Sequence, residues 1–320
     1  LILRVAQAYF GVLMAQDNVE LAARQQAAIA QQLASAKARF EAGKTNVTDV
    51  RDAEARDEEV RAQSVAAANN LSIQQAQFQS VVGMAPMSLA GVSESFSPSL
   101  PEPDDLSTWR GWGRQENLNV RAARVQVEIN KHEIDKYRLR SRPQLSLVAG
   151  YADKRQNGTL PVLVNPDVFQ QTTVGVQLSV PLFTGGSYTS KYREAVAEAN
   201  QAKYQLEATL ENTDVQIKQQ FLNVSVGTRQ ITALQAAVVA AKSSLDATEL
   251  GLQVGKRTTL DVLNAQQQCF ASLQNLDGAR YQYLVARLNL AALVNRLDDA
   301  DVMLVNASLD DSAPRRNEMP

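Results

Sequence analysis

The sequence predicts a mainly α protein built from two long antiparallel coiled-coil hairpins, with an amphipathic β-hairpin of membrane type between them. Three observations predict it. The stretch from Val5 to Val50 aligns without a gap on Ile217 to Val262, each residue n matching residue n+212. Both copies carry apolar residues at heptad spacing. Between the copies lie two stretches whose apolar residues recur with a period of two. An internal repeat decides architecture before any single residue does, and a unit this long is a helical hairpin rather than a solenoid turn.

Composition agrees. The 320 residues are rich in Ala, Gln, Val and Leu, and only 6% are aromatic, the profile of long helices. A net charge of -2 with both signs interspersed offers no basic surface for nucleic acid. No apolar run reaches the roughly 18 residues of a transmembrane helix. The single cysteine, Cys269, allows no internal disulfide. In Gln268-Cys269-Phe270 it reads as a small buried residue rather than a reactive thiol.

Residues 1–83 form the first hairpin. One heptad track is Val5, Val12, Val19, Gln26, Leu33 and Phe40; the other is Leu1, Ala8, Ala15, Ala22, Ile29 and Ala36. Alternating spacings of four and three hold one seam against a partner and impose a left-handed supercoil. Gly43 stops the helix, since glycine tolerates the left-handed conformation past a helix end. Thr48 and Asp49 are candidate caps for the next helix, expected to run to about Val82.

Residues 84–118 read as a connector rather than core, with Pro86, Pro98, Pro101 and Pro103 among many serines. A short helix is expected over 104–115. A longer one, in the segment 119–143, should end before Arg142-Pro143.

At 144–183 the period changes to two. Leu145, Leu147, Ala149 and Tyr151 alternate with Gln144, Ser146, Val148 and Gly150; Val174, Val176, Leu178, Val180 and Leu182 alternate with Thr173, Gly175, Gln177, Ser179 and Pro181. Each stretch has the length of a strand crossing a membrane in a barrel, about 9–11 residues. Leu145, Leu147, Val176, Leu178 and Val180 would face lipid. A hairpin of a soluble sheet shows the same alternation. The polar stretch 153–170, with Asn157-Gly158, Pro161 and Pro166, reads as the loop between the strands.

Residues 184–297 hold the second hairpin. From Gly185-Gly186 to Val254 the helical pattern is unbroken, a rod of about 100 Å at 1.5 Å per residue. Its seam keeps Ile217, Val224, Ile231, Val238, Leu245 and Leu252, none of them polar. Gly255 stops this helix, and Thr258 or Thr259 caps one running to about Leu297. Residues 298–320 read as an ordered start fraying to a tail. The chain opens inside a helical pattern with no cap before Leu1 and no visible signal peptide. Shifted back by one repeat, the β-hairpin falls before residue 1, so the repeat predicts an upstream hairpin outside this sequence.

Catalytic chemistry has no residues to work with. His132 is the sole histidine, on a charged helix in Lys131-His132-Glu133. No Ser/His/Asp or Cys/His set, zinc-ligand spacing or phosphate loop can be assembled, and no metal or cofactor is expected. Asp104-Asp105 and Asp298-Asp299 read as loop or cap residues.

Taken together, the features resemble the TolC family of outer-membrane channel proteins over nearly the whole chain. Leu1-Ile2-Leu3 through Ala8-Tyr9-Phe10-Gly11-Val12-Leu13 looks like that family's helix after its first hairpin, and Pro181-Leu182-Phe183-Thr184-Gly185-Gly186 like its strand-to-helix passage. The most specific run is Val254-Gly255-Lys256-Arg257-Thr258-Thr259-Leu260-Asp261-Val262-Leu263-Asn264-Ala265, followed by Ala279-Arg280-Tyr281-Gln282-Tyr283-Leu284. The resemblance implies a homotrimer whose coiled-coil helices form a periplasmic α-barrel joined to an outer-membrane β-barrel. It implies work with a periplasmic adaptor and an inner-membrane ABC or RND transporter, in type I protein secretion or drug efflux. Thr48, Asp49 and Arg257 match positions that hold the family's periplasmic tip closed, Gln32 and Glu249 match another such contact, and Asp261 matches a carboxylate lining the aperture. Two positions depart. Leu252 stands where the family has a tyrosine partner for the Asp49 position, and Asn264 where it has a second aperture aspartate.

Two other classes compete. A periplasmic adaptor, or a structural coiled coil without a pore, would not place two hairpins around membrane-type strands, and detergent dependence separates it from a channel. An enzyme lacks its residues.

Overall fold

The computed structural model describes residues 1–86, 89–93, 96–140, 142–155 and 168–310. In order these form α1 (Ile2–Glu41), α2 (Val47–Val82), β1 (Gly91–Val92), α3 (Leu106–Glu116), α4 (Leu118–Arg140), β2 (Gln144–Arg155), β3 (Val168–Ser179), α5 (Ser187–Gln253), α6 (Thr259–Leu293), α7 (Asp299–Ala307) and β4 (Leu309–Asp310). Two compact units divide the chain: residues 1–117 with those from 213 onward, and residues 118–212.

In the first unit the heptads bury as their spacing requires. On α1 the seam residues Val12, Ala15, Ile29 and Ala36 are buried. On α5 Ile217, Val224 and Ile231 are fully enclosed, and Val238 and Leu252 nearly so. Each large apolar side chain removed from water this way contributes about 1.5–3 kcal/mol. The core has two parts. Near the turns, Ile29 and Ala36 of α1 pack with Val50, Ala53 and Val60 of α2 and with Leu263 of α6. The larger part gathers Phe10 and Leu13, Ile217, Val224, Ile231 and Val238 of α5, and Leu273, Tyr281, Leu284 and Leu288 of α6. Helix α6 therefore serves both parts. The buried Tyr281 hydroxyl donates to the Asp17 carboxylate of α1, and burial, reinforced by the Asp17 charge, pushes this phenol far above its usual range.

The segment read as connector is part of this core, which corrects the sequence expectation. Trp109 is buried, and Leu89, Val92 and Phe96 pack against the same cluster. Aromatic side chains at wide spacing leave no periodic signal, but they bury large areas once long-range contacts form. Polar bonds fasten the segment. The Tyr9 hydroxyl donates to the Ala90 carbonyl at 2.8 Å, and the Tyr283 hydroxyl to the Ser99 carbonyl at 2.6 Å. Asn117 Nδ2 donates to the Leu293 carbonyl at 2.8 Å, and the Arg296 guanidinium lies 3.6 Å from the ring centroid of Trp112. Asp214 of α5, almost fully enclosed, is paired with Arg114 and with Arg110 of α3. Its charge is therefore buried with partners, as burial demands. Asp105 caps α3 and Asp298 caps α7, the bland roles expected of those acidic pairs. Strands β1 and β4 pair antiparallel through Gly91↔Asp310 and Val92↔Leu309, a two-residue contact that no sequence pattern announces.

Cys269 is buried in α6, the small buried residue expected, and burial raises its thiol pKa. Helix α6 ends at Leu293, short of the expected Leu297, because Asn295 turns left-handed with φ 55°.

In the second unit Val127 of α4 and Ala195 and Ala202 of α5 are buried, and Asn130 Nδ2 donates to the Glu198 carbonyl at 3.2 Å. The strands pair antiparallel from Gln144↔Ser179 to Arg155↔Val168. The ladder is longer at its far end than the alternation suggested, since backbone pairing does not need apolar side chains. At its near end it is shorter. β3 stops at Ser179, so Val180, expected on the strand, lies outside it. The next partner in register would be Pro143, which has no N–H to give, and Pro181 follows. Asn157-Gly158, Pro161 and Pro166 fall outside the described residues.

Candidate functional site: the two hairpin tips and the apolar strand face

The two tips are superposable in their backbone bonds. At the first, the amides of Ala42, Gly43 and Lys44 donate to the carbonyls of Ala38, Phe40 and Arg39 at 3.1, 2.9 and 2.8 Å. At the second, those of Val254, Gly255 and Lys256 donate to Leu250, Leu252 and Gly251 at 3.1, 3.1 and 2.8 Å. Gly43 and Gly255 take φ 68° and 73°, a left-handed conformation that costs any other residue roughly 1–2 kcal/mol. Both helix stops fall where the sequence put them.

The starts of the next helices differ. At the first tip the cap is Asn46, not Thr48 or Asp49, and its side chain makes no capping bond. Thr48 is exposed in the first turn of α2. Asp49 accepts a hydrogen bond from the Thr45 hydroxyl, a partner that sequence reasoning missed. At the second tip Thr258 forms a full capping box with Asp261. The Thr258 amide and hydroxyl donate to Asp261 Oδ2 at 2.9 and 3.0 Å, and the Asp261 amide donates to Thr258 Oγ1 at 3.2 Å. These bonds, first from the Thr258 backbone and then from its side chain, hold the Asp261 carboxyl below its ordinary range, with the Arg257 charge adding to them.

Of the remaining tip residues, Arg257 and Asn264 are exposed, and Gln32 and Glu249 are half-buried. Leu252 is buried at the end of the α5 seam, where it acts by packing. Within one chain, and among the described residues, no hydrogen bond or ion pair joins Arg257 to Thr48 or Asp49, or Gln32 to Glu249. The single chain brings together Thr45 with Asp49, and Thr258 with Asp261. The other tip pairings have no partner geometry within it.

The β-hairpin carries the second feature. Leu145 lies opposite Leu178 and Leu147 opposite Val176, and all four are 64–78% exposed. Gln144 and Ser146 pair with Ser179 and Gln177 on the other face. One face is thus continuously apolar and uncovered. Among the described residues no helix is long and apolar enough to cross a membrane, and no group of acidic, histidine and cysteine residues could hold a metal ion.

Known proteins resemble the chain over nearly its whole length. The family model for outer membrane efflux proteins matches residues 1–84 and 113–296. Outer membrane protein TolC of Vibrio cholerae is 35% identical over 311 residues, covering 97% of this chain and 70% of that protein. TolC of Escherichia coli strain K12 is 31% identical, with coverage of 97% and 64%. The alkaline protease secretion protein AprF of Pseudomonas aeruginosa is 30% identical, with coverage of 96% and 64%. The chain thus spans about two thirds of the length of these relatives. The Campylobacter jejuni CmeC outer membrane channel has the same fold, with a TM-score of 0.75 at 16% identity over 97% of this chain and 67% of that one. On the family match and on these identities, the chain belongs to the outer membrane efflux protein family.

Proposed function

We propose that the chain is one subunit of a homotrimeric outer-membrane channel. Its β-hairpin contributes to a membrane barrel and its helical hairpins to a periplasmic tunnel. The tunnel is closed at the hairpin tips and opens on docking with a periplasmic adaptor and an inner-membrane ABC or RND transporter. The cargo classes are secreted proteins and drugs, in keeping with AprF, whose name records protease secretion, and with the efflux family.

The uncovered apolar face of β2 and β3 carries this reading. A lone two-stranded hairpin is marginal in water, and its outer edges present unpaired backbone groups. Closure with further strands satisfies the edges, and lipid covers the apolar face. At 12 residues each, the strands are long enough to cross when tilted. At the tip, Arg257 bonds Thr48 or Asp49 of a neighbouring subunit, and Gln32 meets Glu249 across the same boundary. A charge-assisted bond shielded from water contributes about 1.5–3 kcal/mol. Threefold symmetry gathers three Asp261 carboxylates around one axis, while Asn264 leaves the next ring neutral.

The test places arginine on either face of one strand. Arginine on the lipid face costs about 2–4 kcal/mol at the midplane and less toward the interfaces, so Leu178→Arg, near the end of β3, should reduce membrane insertion of the trimer, whereas Gln177→Arg should not. Equal tolerance at the two sites would sink the barrel.

A further inference from the structure

The two tips carry their arginine on opposite sides of the turn. At one pair of equivalent positions stand Arg39 and Gly251, and at another Thr45 and Arg257. In the first tip Arg39 lies in the last turn of α1. The last turn of α5 has no basic residue, so its negative dipole end lacks the cation that such ends favour. Arg257 stands on the far side of that turn and comes back to it. The Gly251 carbonyl accepts from the Arg257 amide at 3.1 Å, in addition to the Lys256 amide at 2.8 Å. A Cβ at Gly251 would lie 2.7 Å from Arg257 Cγ and 3.4 Å from its Cβ. The arginine stem therefore rests on the bare Cα of Gly251. Glycine is unfavourable inside a helix, and Gly251 has no left-handed backbone to require it. The space it leaves for Arg257 is what its presence explains.

We propose that Gly251 is a positioning residue for the tip: it seats the Arg257 stem against the end of α5 and so aims the guanidinium at its closing partner. This rests on the reading of Arg257 as a gate residue. A methyl group at 251 meets Cγ, which is near the root of the side chain, so relief requires a change of rotamer that redirects the whole guanidinium. The helix itself tolerates alanine better than glycine, which keeps the variant foldable.

The experiment is single-channel recording of the assembled protein in planar bilayers for wild type, Gly251→Ala, Arg257→Ser and the double variant. Each is accompanied by thermal unfolding and by the crystal structure of Gly251→Ala. Gly251→Ala should raise closed-state leak about tenfold, equivalent to about 1.4 kcal/mol of lost closure, with no lower unfolding temperature. The double variant should leak no more than Arg257→Ser alone, because the glycine acts only through the arginine. A closed Gly251→Ala beside a leaky Arg257→Ser overturns the proposal, as do effects that add in the double variant. If Arg257→Ser stays closed, the gate reading fails and positioning is judged from the structure alone. Arg257 displaced from the end of α5 in Gly251→Ala supports it, and Arg257 unmoved overturns it.

Discussion

The two hairpin tips have one backbone and two chemistries. Their glycines, φ 68° and 73°, and their three closing bonds correspond residue for residue. The first tip starts its second helix from Asn46 with no capping bond and spends Asp49 on Thr45. The second starts from a closed Thr258–Asp261 box and carries Arg257 at the turn. Turn geometry is set by one glycine and the helix ends beside it, so it survives divergence around it. The polar side chains are not needed for the turn, and are free to differ in what they cap and what they offer to a partner.

The seam leading to each tip differs in the same direction. On α5 Ile231 is fully enclosed, whereas its counterpart Val19 on α1 is only half-buried. Ile231→Ala should therefore lower stability by about 2–5 kcal/mol, the range for truncating a buried isoleucine, and Val19→Ala by clearly less. Chemical denaturation of the two variants reads the difference, and equal losses would erase the distinction between the seams. A smaller effect sharpens the comparison at the caps. Thr258→Ala should cost about 1 kcal/mol, whereas Asn46→Ala, with no side-chain bond to lose, should fall near zero in the same assay. A cost at Asn46 matching that at Thr258 would contradict the capping difference.

The repeat, the helix stops at Gly43 and Gly255, and the α5 seam from Ile217 to Leu252 were legible in the sequence because each rests on local periodicity or on one residue's conformational freedom. The alternation in β2 and β3 was legible for the same reason. The end of β3 was not, since it depends on Pro143 standing opposite Val180, a fact of register. The burial of Trp109 and Phe96 was not, since those contacts join segments far apart in the chain. The Asp49–Thr45 bond and the seat of Arg257 on Gly251 depend on how each turn folds back on itself. The resemblance points to Asp261 as an aperture residue, and its place in a capping box was not read from the sequence. The capping box is present, and the proposed aperture role would add to it without competing, because a carboxylate can hold its cap and still present charge to a lumen.

That added role is where the account is most exposed. Single-channel recordings in the presence of a trivalent cation test it directly, since a ring of carboxylates on a pore axis binds highly charged cations most strongly. The wild-type channel should be blocked, Asp261→Ala should lose nearly all of that block, and Asn264→Asp should tighten it by supplying a second ring. The same cation sensitivity in wild type and Asp261→Ala would mean that the second tip does not line a pore, and that Asp261 only caps α6.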